Sequence, residues 1–385
     1  MPRLPVYLDY HATTPVDRRV LERMLPYFTE AFGNPASSTH QWGWKAQEAV
    51  EQARREVAGL IGASPREVYF TSGATESNNL ALQGVCALAD PARRHVVVSA
   101  IEHKSVLEGA QRLEKHGWRC TVAPVDPSGV IDLDALQEAV GADTALISVM
   151  AANNEIGVVQ PLAAIGAIAH QAGAVLHVDA AQAAGKIPID VAAMQIDLLS
   201  LTGHKLYGPK GSGAIYVRKH ARVEPLIIGG GQERGMRSGT LNVPGIVGLG
   251  AACAICNAEM TSEAARVGGL RDRLLDGLRA ELAGVAVNGA LDPRLPNNLH
   301  VSFEGVDGES LLIGIGDIAV SSGSACSSAS GLASHVLRAI YGTRPVPSAS
   351  IRFGLGRDTT ADDIDYTIGK FVSVVRHLRE TAPVR

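Results

Sequence analysis

Residues 198–217 read LLSLTGHKLYGPKGSGAIYV. An apolar run leads into a loop of glycines and polar residues, and a second apolar run follows it. Short apolar runs bounded by glycine and proline predict buried strands, here at 198–201 and 214–217. Further β-rich runs lie at 68–71, 95–99, 146–150 and 175–179, with helical stretches such as 133–140 and 162–172 between some of them. That alternation predicts an α/β protein built on a mostly parallel, helix-covered sheet. Upstream, Ala46, Ala49, Val50, Ala53, Val57, Leu60 and Ile61 recur at three- and four-residue steps, and Gly62 follows them. The spacing predicts an amphipathic helix over 45–61 with a glycine stop. Beyond about Met260 the texture changes to a charged helix (263–282), short strands (298–303, 318–321, 350–353) and a closing helix (364–378). These predict a smaller α+β lobe. We divide the chain into a large domain of 15–258 and a small one formed by 1–14 and 259–385.

The 385 residues are 46% apolar and 19% charged, ordinary values for a globular α/β protein. The net charge of -4 comes without a run of Lys and Arg, so neither nucleic acid nor an anionic membrane is an expected partner. No apolar stretch reaches 18 residues, and the start MPRLPVYLDYHATTP lacks a signal-peptide layout, which points to the cytoplasm. Five cysteines, Cys86, Cys120, Cys253, Cys256 and Cys326, are few and unevenly spaced. Reduced thiols rather than a disulfide framework are expected.

In a parallel sheet ligands gather at the carboxyl ends of the strands. Five such ends are polar here: SGATESNN (72–79), IEHKS (101–105), AANNEIG (151–157), DAAQ (179–182) and TGHK (202–205). Lys205 alone reads as a solvated loop lysine, but its neighbours change that reading. Asp179 can hold a pyridinium nitrogen protonated, although alone it reads as a helix cap. Gln182 can donate to a ring oxygen, or be a bland surface amide. The turn Gly73-Ala74-Thr75 opens a helix and offers N–H groups to a phosphate, as many α/β loops do. Thr202 and His204 add donors beside it. His103 can lie on a ring and exchange protons, or cap a helix. Asn154 can face the ring or the substrate, or simply make a turn. Together these groups suit pyridoxal phosphate held on Lys205 as a Schiff base, and no metal site is expected.

The chain resembles the cysteine desulfurases of the NifS/IscS-like group, of class-V aminotransferase type. The resemblance rests on YLDYHATTP, GNPASSTH, TSGATESNN, EHKS, NNEIG, HVDAAQ, GHKLYGPKG, GGGQERGMRSGT, SSGSACSS and SIRFGLGR, in that order over nearly the whole length. It implies the aspartate-aminotransferase-like fold type I, with a seven-stranded, mostly parallel sheet in the large domain. It implies Lys205 as the cofactor lysine, Asp179 on the pyridine nitrogen, Gln182 on the ring oxygen and His103 stacked on the ring. Ala74, Thr75, Thr202 and His204 would hold the phosphate, with threonine at 202 where relatives usually carry serine. Thr240 would reach the phosphate of a neighbouring subunit, so a homodimer is expected.

Small residues flank Cys326 and leave it unshielded, unlike a structural cysteine. Cys253 and Cys256 form a C-x-x-C inside an Ala-rich helical run and read as core. Arg352 carries the planar fork that suits a substrate carboxylate, or a surface ion pair. Asn34 lines the same pocket or makes a turn. The implied reaction takes sulfur from L-cysteine onto Cys326 as a persulfide and releases L-alanine. An acceptor such as an iron–sulfur scaffold would then receive the sulfur. A transaminase or selenocysteine lyase would need no exposed thiol, and a non-catalytic scaffold would need none of these groups.

Overall fold

The computed structural model describes residues 2, 4–322 and 334–381. After a short first strand, β1 (Val6–Tyr7), the chain builds the central sheet. Its strands are β2 (Val68–Thr71), β3 (His95–Ser99), β4 (Arg119–Ala123), β5 (Thr144–Met150), β6 (Val175–Asp179), β7 (Leu198–Thr202) and β8 (Gly213–Val217). They lie in the order β2-β8-β7-β6-β5-β3-β4. Neighbours pair in parallel except at β8, which is antiparallel to both β2 and β7. Six of the seven strands therefore point the same way, and their carboxyl ends open on one side. Helices cover both faces, so β5, β7 and β8 are buried along their whole length. This explains why they read as mostly apolar runs rather than alternating ones.

The helix predicted at 45–61 runs from Gln41 to Ile61 and buries Ala46, Val50, Ala53, Val57, Leu60 and Ile61. Gly62 ends it in a left-handed conformation (φ 69°), its N–H returning to the Ala58 carbonyl. Two expectations need correction. The sequence pattern shows no strand at Arg119–Ala123, yet β4 forms there, paired with β3 at the edge of the sheet among the described residues and exposed at Arg119 and Val122. The charged helix expected at 263–282 is the second half of one unbroken 39-residue helix, Val243–Glu281.

That helix joins two cores. Val243, Ile246, Val247, Leu249 and Cys253 pack with the central sheet, whereas Val267, Leu274, Leu275 and Leu278 pack into a second core. By length and composition it could cross a bilayer, but 61% of its most apolar window is buried inside the protein. The second core is organised by an antiparallel sheet of β9 (Val285–Val287), β10 (Asn298–Phe303) and β12 (Ser350–Gly354), in the order β12-β10-β9. β11 (Ile318–Ala319) pairs in parallel with β1. Phe303 and Phe353 both pack on Phe371, with ring centroids 5.6 and 5.0 Å apart. Val6 and Leu8, from the start of the chain, belong to this second core.

Candidate active site

A cavity of about 570 Å³ lies where the carboxyl ends of β2, β5, β6 and β7 face the beginning of the chain and β12. Its walls carry Ala74, Thr75, His103, Asn154, Asp179, Gln182, Thr202, His204, Lys205 and Arg352, ten residues singled out from the sequence. Glycines make the wall this close. A Cβ on Gly213 would lie 2.5 Å from the Gly73 Cα and 2.7 Å from the Leu201 carbonyl oxygen, and one on Gly203 would lie 2.6 Å from Ser212 Oγ. Gly73 itself adopts φ 151° and starts the helix Ala74–Ala87 without a side-chain cap. The first N–H groups of that helix are thus left for an anion.

Asp179 ends β6, only 4% exposed. Its Oδ1 accepts from the Ala181 N–H at 2.9 Å and its Oδ2 from Asn78 Nδ2 at 2.7 Å. The same Asn78 nitrogen donates to Ser105 Oγ at 2.9 Å, and Ser105 Oγ lies 2.8 Å from His103 Nδ1. Because Asn78 donates to that hydroxyl, and the Ser105 N–H also donates to Nδ1 at 3.2 Å, Nδ1 is an acceptor. With Nδ1 accepting, the proton of the neutral tautomer belongs on Nε2. Asn78 and Ser105 were not singled out from the sequence; they are uncharged residues acting through hydrogen bonds, and their only signal was a place inside the stretches TSGATESNN and EHKS.

Lys205 follows β7 in a single 3-10 turn, Gly203–Lys205. Its Nζ donates to the Ala12 carbonyl at 2.7 Å and also to the His11 carbonyl. A second lysine, Lys186, is half-buried nearby and donates to the backbone carbonyls of Gln182 (3.3 Å) and Lys205 (3.2 Å). Burial pulls its ammonium down to about 8. His204, 3.2 Å from Thr13 Oγ1, is pushed down to about 4 by burial and by the charges of Lys205, Lys210 and Lys186. A positive field that strong beside an uncapped helix start suits a phosphate. A buried carboxylate at the far wall suits a protonated pyridine nitrogen, so the residues present fit pyridoxal phosphate.

Arg352 on β12 is 2% exposed; it donates to Asp9 Oδ1 at 2.7 Å and to the Asn154 carbonyl at 2.9 Å. Its Nε has no acceptor among the described residues. Such a buried donor is costly until an acceptor arrives. Asn154 thus meets Arg352 through its backbone. Asn34 and Thr240 are exposed and do not line this cavity; the Asn34 Oδ1 accepts from the Ala36 N–H at 3.0 Å, an Asx turn. Cys326 lies outside the described residues. On one side of its segment Ser321 is bridged to Arg352, and on the other Ser334 Oγ donates to Glu155 Oε2 at 2.7 Å. Cys253 and Cys256 are buried, and burial raises both thiols.

Comparison with known proteins places this geometry among relatives. A family model described as Aminotransferase class-V matches residues 6–367. "Cysteine desulfurase IscS" of Anaeromyxobacter sp. (strain K) is 53% identical over 384 residues, 99% of this chain and 95% of that one. "Cysteine desulfurase" of Rattus norvegicus is 52% identical, over 99% of this chain and 85% of the other. Among solved structures, a "NIFS-LIKE PROTEIN" superposes with a TM-score of 0.90 at 40% identity, over 97% of this chain and all of that one (100%). "SspA in complex with cysteine" does so with a TM-score of 0.80 at 38% identity, over 91% and 98%.

Proposed function

The chain belongs to the aminotransferase class-V family, with cysteine desulfurases as full-length relatives, and we propose how its own residues carry that activity. It is a pyridoxal-phosphate-dependent cysteine desulfurase that takes sulfur from L-cysteine and leaves L-alanine. The observation that carries the site assignment is the meeting of Lys205, Asp179, Arg352 and an uncapped helix start around one cavity.

Lys205 would hold the cofactor covalently, Asp179 its ring nitrogen, and Gln182 its ring oxygen. Ala74, Thr75, Thr202 and His204 would hold its phosphate, and His103 would stack on its ring. When bound, pyridoxal phosphate supplies an electron sink for the bonds at the substrate Cα and Cβ. Arg352 binds the substrate carboxylate, and Asn154 holds that guanidinium through its carbonyl. The freed amine of Lys205, oriented by the carbonyls of His11 and Ala12, takes the Cα proton and later returns it. His103, with its proton on Nε2, exchanges a proton with the substrate thiol. The Cys326 thiolate forms an S–S bond to the substrate sulfur as the C–S bond breaks, and protonation of the carbon framework gives alanine.

A homodimer is part of the proposal, with Thr240 exposed and able to complete a neighbour's phosphate site. So are a cytoplasmic location, an iron–sulfur scaffold as sulfur acceptor, and the division into 15–258 against 1–14 and 259–385. The membership of Val6 and Leu8 in the second core supports that division. Substitution of Cys326 by Ala tests the thiol's role: the variant should keep the cofactor's visible absorbance and bind cysteine, yet release no alanine from it. Alanine production at the native rate would remove Cys326 from the reaction.

A further inference from the structure

His11 stands where the N-terminal segment leaves the second core and enters the cavity wall. It is 1% exposed, and both ring nitrogens are engaged. Nδ1 lies 2.9 Å from Gln182 Oε1, and Nε2 lies 3.1 Å from Asn298 Nδ2. The Gln182 amide also reaches back, with Nε2 donating to the His11 carbonyl at 3.0 Å.

The polarity of this row follows from chemistry alone. A carbonyl oxygen only accepts, so the nitrogen of the Gln182 amide must face the His11 carbonyl and its oxygen must face the imidazole. His11 Nδ1 therefore carries the proton. Nε2 must then accept, and Asn298 supplies the donor. The Asn298 amide is oriented in the same way: its nitrogen donates to the Glu155 carbonyl at 3.1 Å, and its oxygen accepts from Arg294 Nη1 at 2.9 Å. Arg294 can only donate, and the carbonyls of residues 11 and 155 can only accept. A flipped Gln182 amide would set oxygen against oxygen and N–H against N–H, two buried mismatches at once. A charged imidazole would set N–H against the Asn298 amide. Burial, with Arg352, Lys186 and Lys205 nearby, holds the ring well below its ordinary range.

We propose that His11 is a positioning residue: as its neutral Nδ1–H tautomer it locks the Gln182 amide so that the remaining amide N–H is offered to the cavity, toward the cofactor's ring oxygen. This rests on the assignment of Gln182 to that oxygen. A fixed N–H favours the ionised oxygen, so losing the lock raises the pH at which the bound chromophore takes up a proton.

The test uses the cofactor-loaded enzyme and follows the visible absorbance through a pH titration, without substrate. Gln182→Leu should raise the midpoint by about one pH unit, and His11→Leu should raise it by a similar amount. The double variant should go no further than either alone. His11→Asn, whose side-chain nitrogen can take the place of Nδ1, should restore the native midpoint. No shift in Gln182→Leu would overturn the assignment of Gln182. A shift in Gln182→Leu with none in His11→Leu would overturn the role of His11 and leave that assignment standing. Nitrogen NMR of the native protein gives a readout free of any variant. His11 should show a protonated Nδ1 and a bare Nε2 from about pH 6 to about pH 9. The opposite tautomer or an imidazolium in that range would overturn the proposal.

Discussion

Glu102, one residue before His103, is a fully buried acid that burial pushes up to about 8. Its Oε1 accepts from Ser99 Oγ at 2.6 Å and from the Met150 N–H at 2.7 Å, and its Oε2 has no partner among the described residues. It therefore holds its proton at neutral pH. An acid with a higher pKa folded than unfolded binds its proton more tightly in the folded protein. The folded state thus loses ground as pH climbs from the usual carboxylate range toward about 8. Glu102→Gln keeps the two accepted hydrogen bonds and stays neutral. Relative to that variant, the native protein should lose up to about 1.4 kcal/mol of stability per pH unit between about pH 5 and about pH 8. Urea unfolding at several pH values measures this, and parallel profiles for the two proteins would contradict the buried-acid reading.

At the scale of the element, the wall between β2 and β8 depends on Gly213. A methyl group there meets backbone on both sides, at Gly73 and Leu201, and cannot be absorbed by a rotamer change. Gly213→Ala should cost about 1–3 kcal/mol of stability. It should also weaken cofactor binding to the apoprotein, since it displaces the helix start at Gly73. Thermal unfolding and a cofactor titration check the pair, and a destabilised variant with native cofactor affinity would separate this contact from the phosphate site. The strands feeding the cavity were legible because each is a mostly apolar run, broken at most by a single polar residue such as His177 or Ser200, that ends in polar residues. β4 was not, because an edge strand with exposed Arg119 and Val122 lacks the all-apolar run of a central one. The helix Val243–Glu281 read as two because its surroundings change midway, from the interior of the first core to a half-exposed flank of the second. Within the site, charged and glycine-flanked residues were legible. His11, Asn78 and Ser105 were not, because uncharged residues that orient others through hydrogen bonds carry no pattern of charge or spacing.

For the whole molecule, the segment carrying Thr240 is pinned to the body of the protein. Glu233 makes a buried, two-point ion pair with Arg54 at 2.7 and 2.8 Å, although its own φ is 49°. Arg237 pairs with Glu76, a cavity residue, at 3.0 Å. If Thr240 completes a partner's site, chains bearing Lys205→Ala and chains bearing Thr240→Val should complement. Each mixed dimer holds one site with both lesions and one with neither, and should recover about half of native activity. Mixed samples no more active than the average of the two parent dimers would rule out a shared site. The pairing of β1 with β11, and of Asp9 with Gly354, also has a meaning in time. Val6 and Leu8 leave the ribosome before the central sheet, but their partners on β11 follow only after that sheet is complete at Val217. His11 and Lys205 are both made before Arg352, which arrives with β12. A chain stalled between those points could form the central sheet, but its ligand site would stand open, without its arginine.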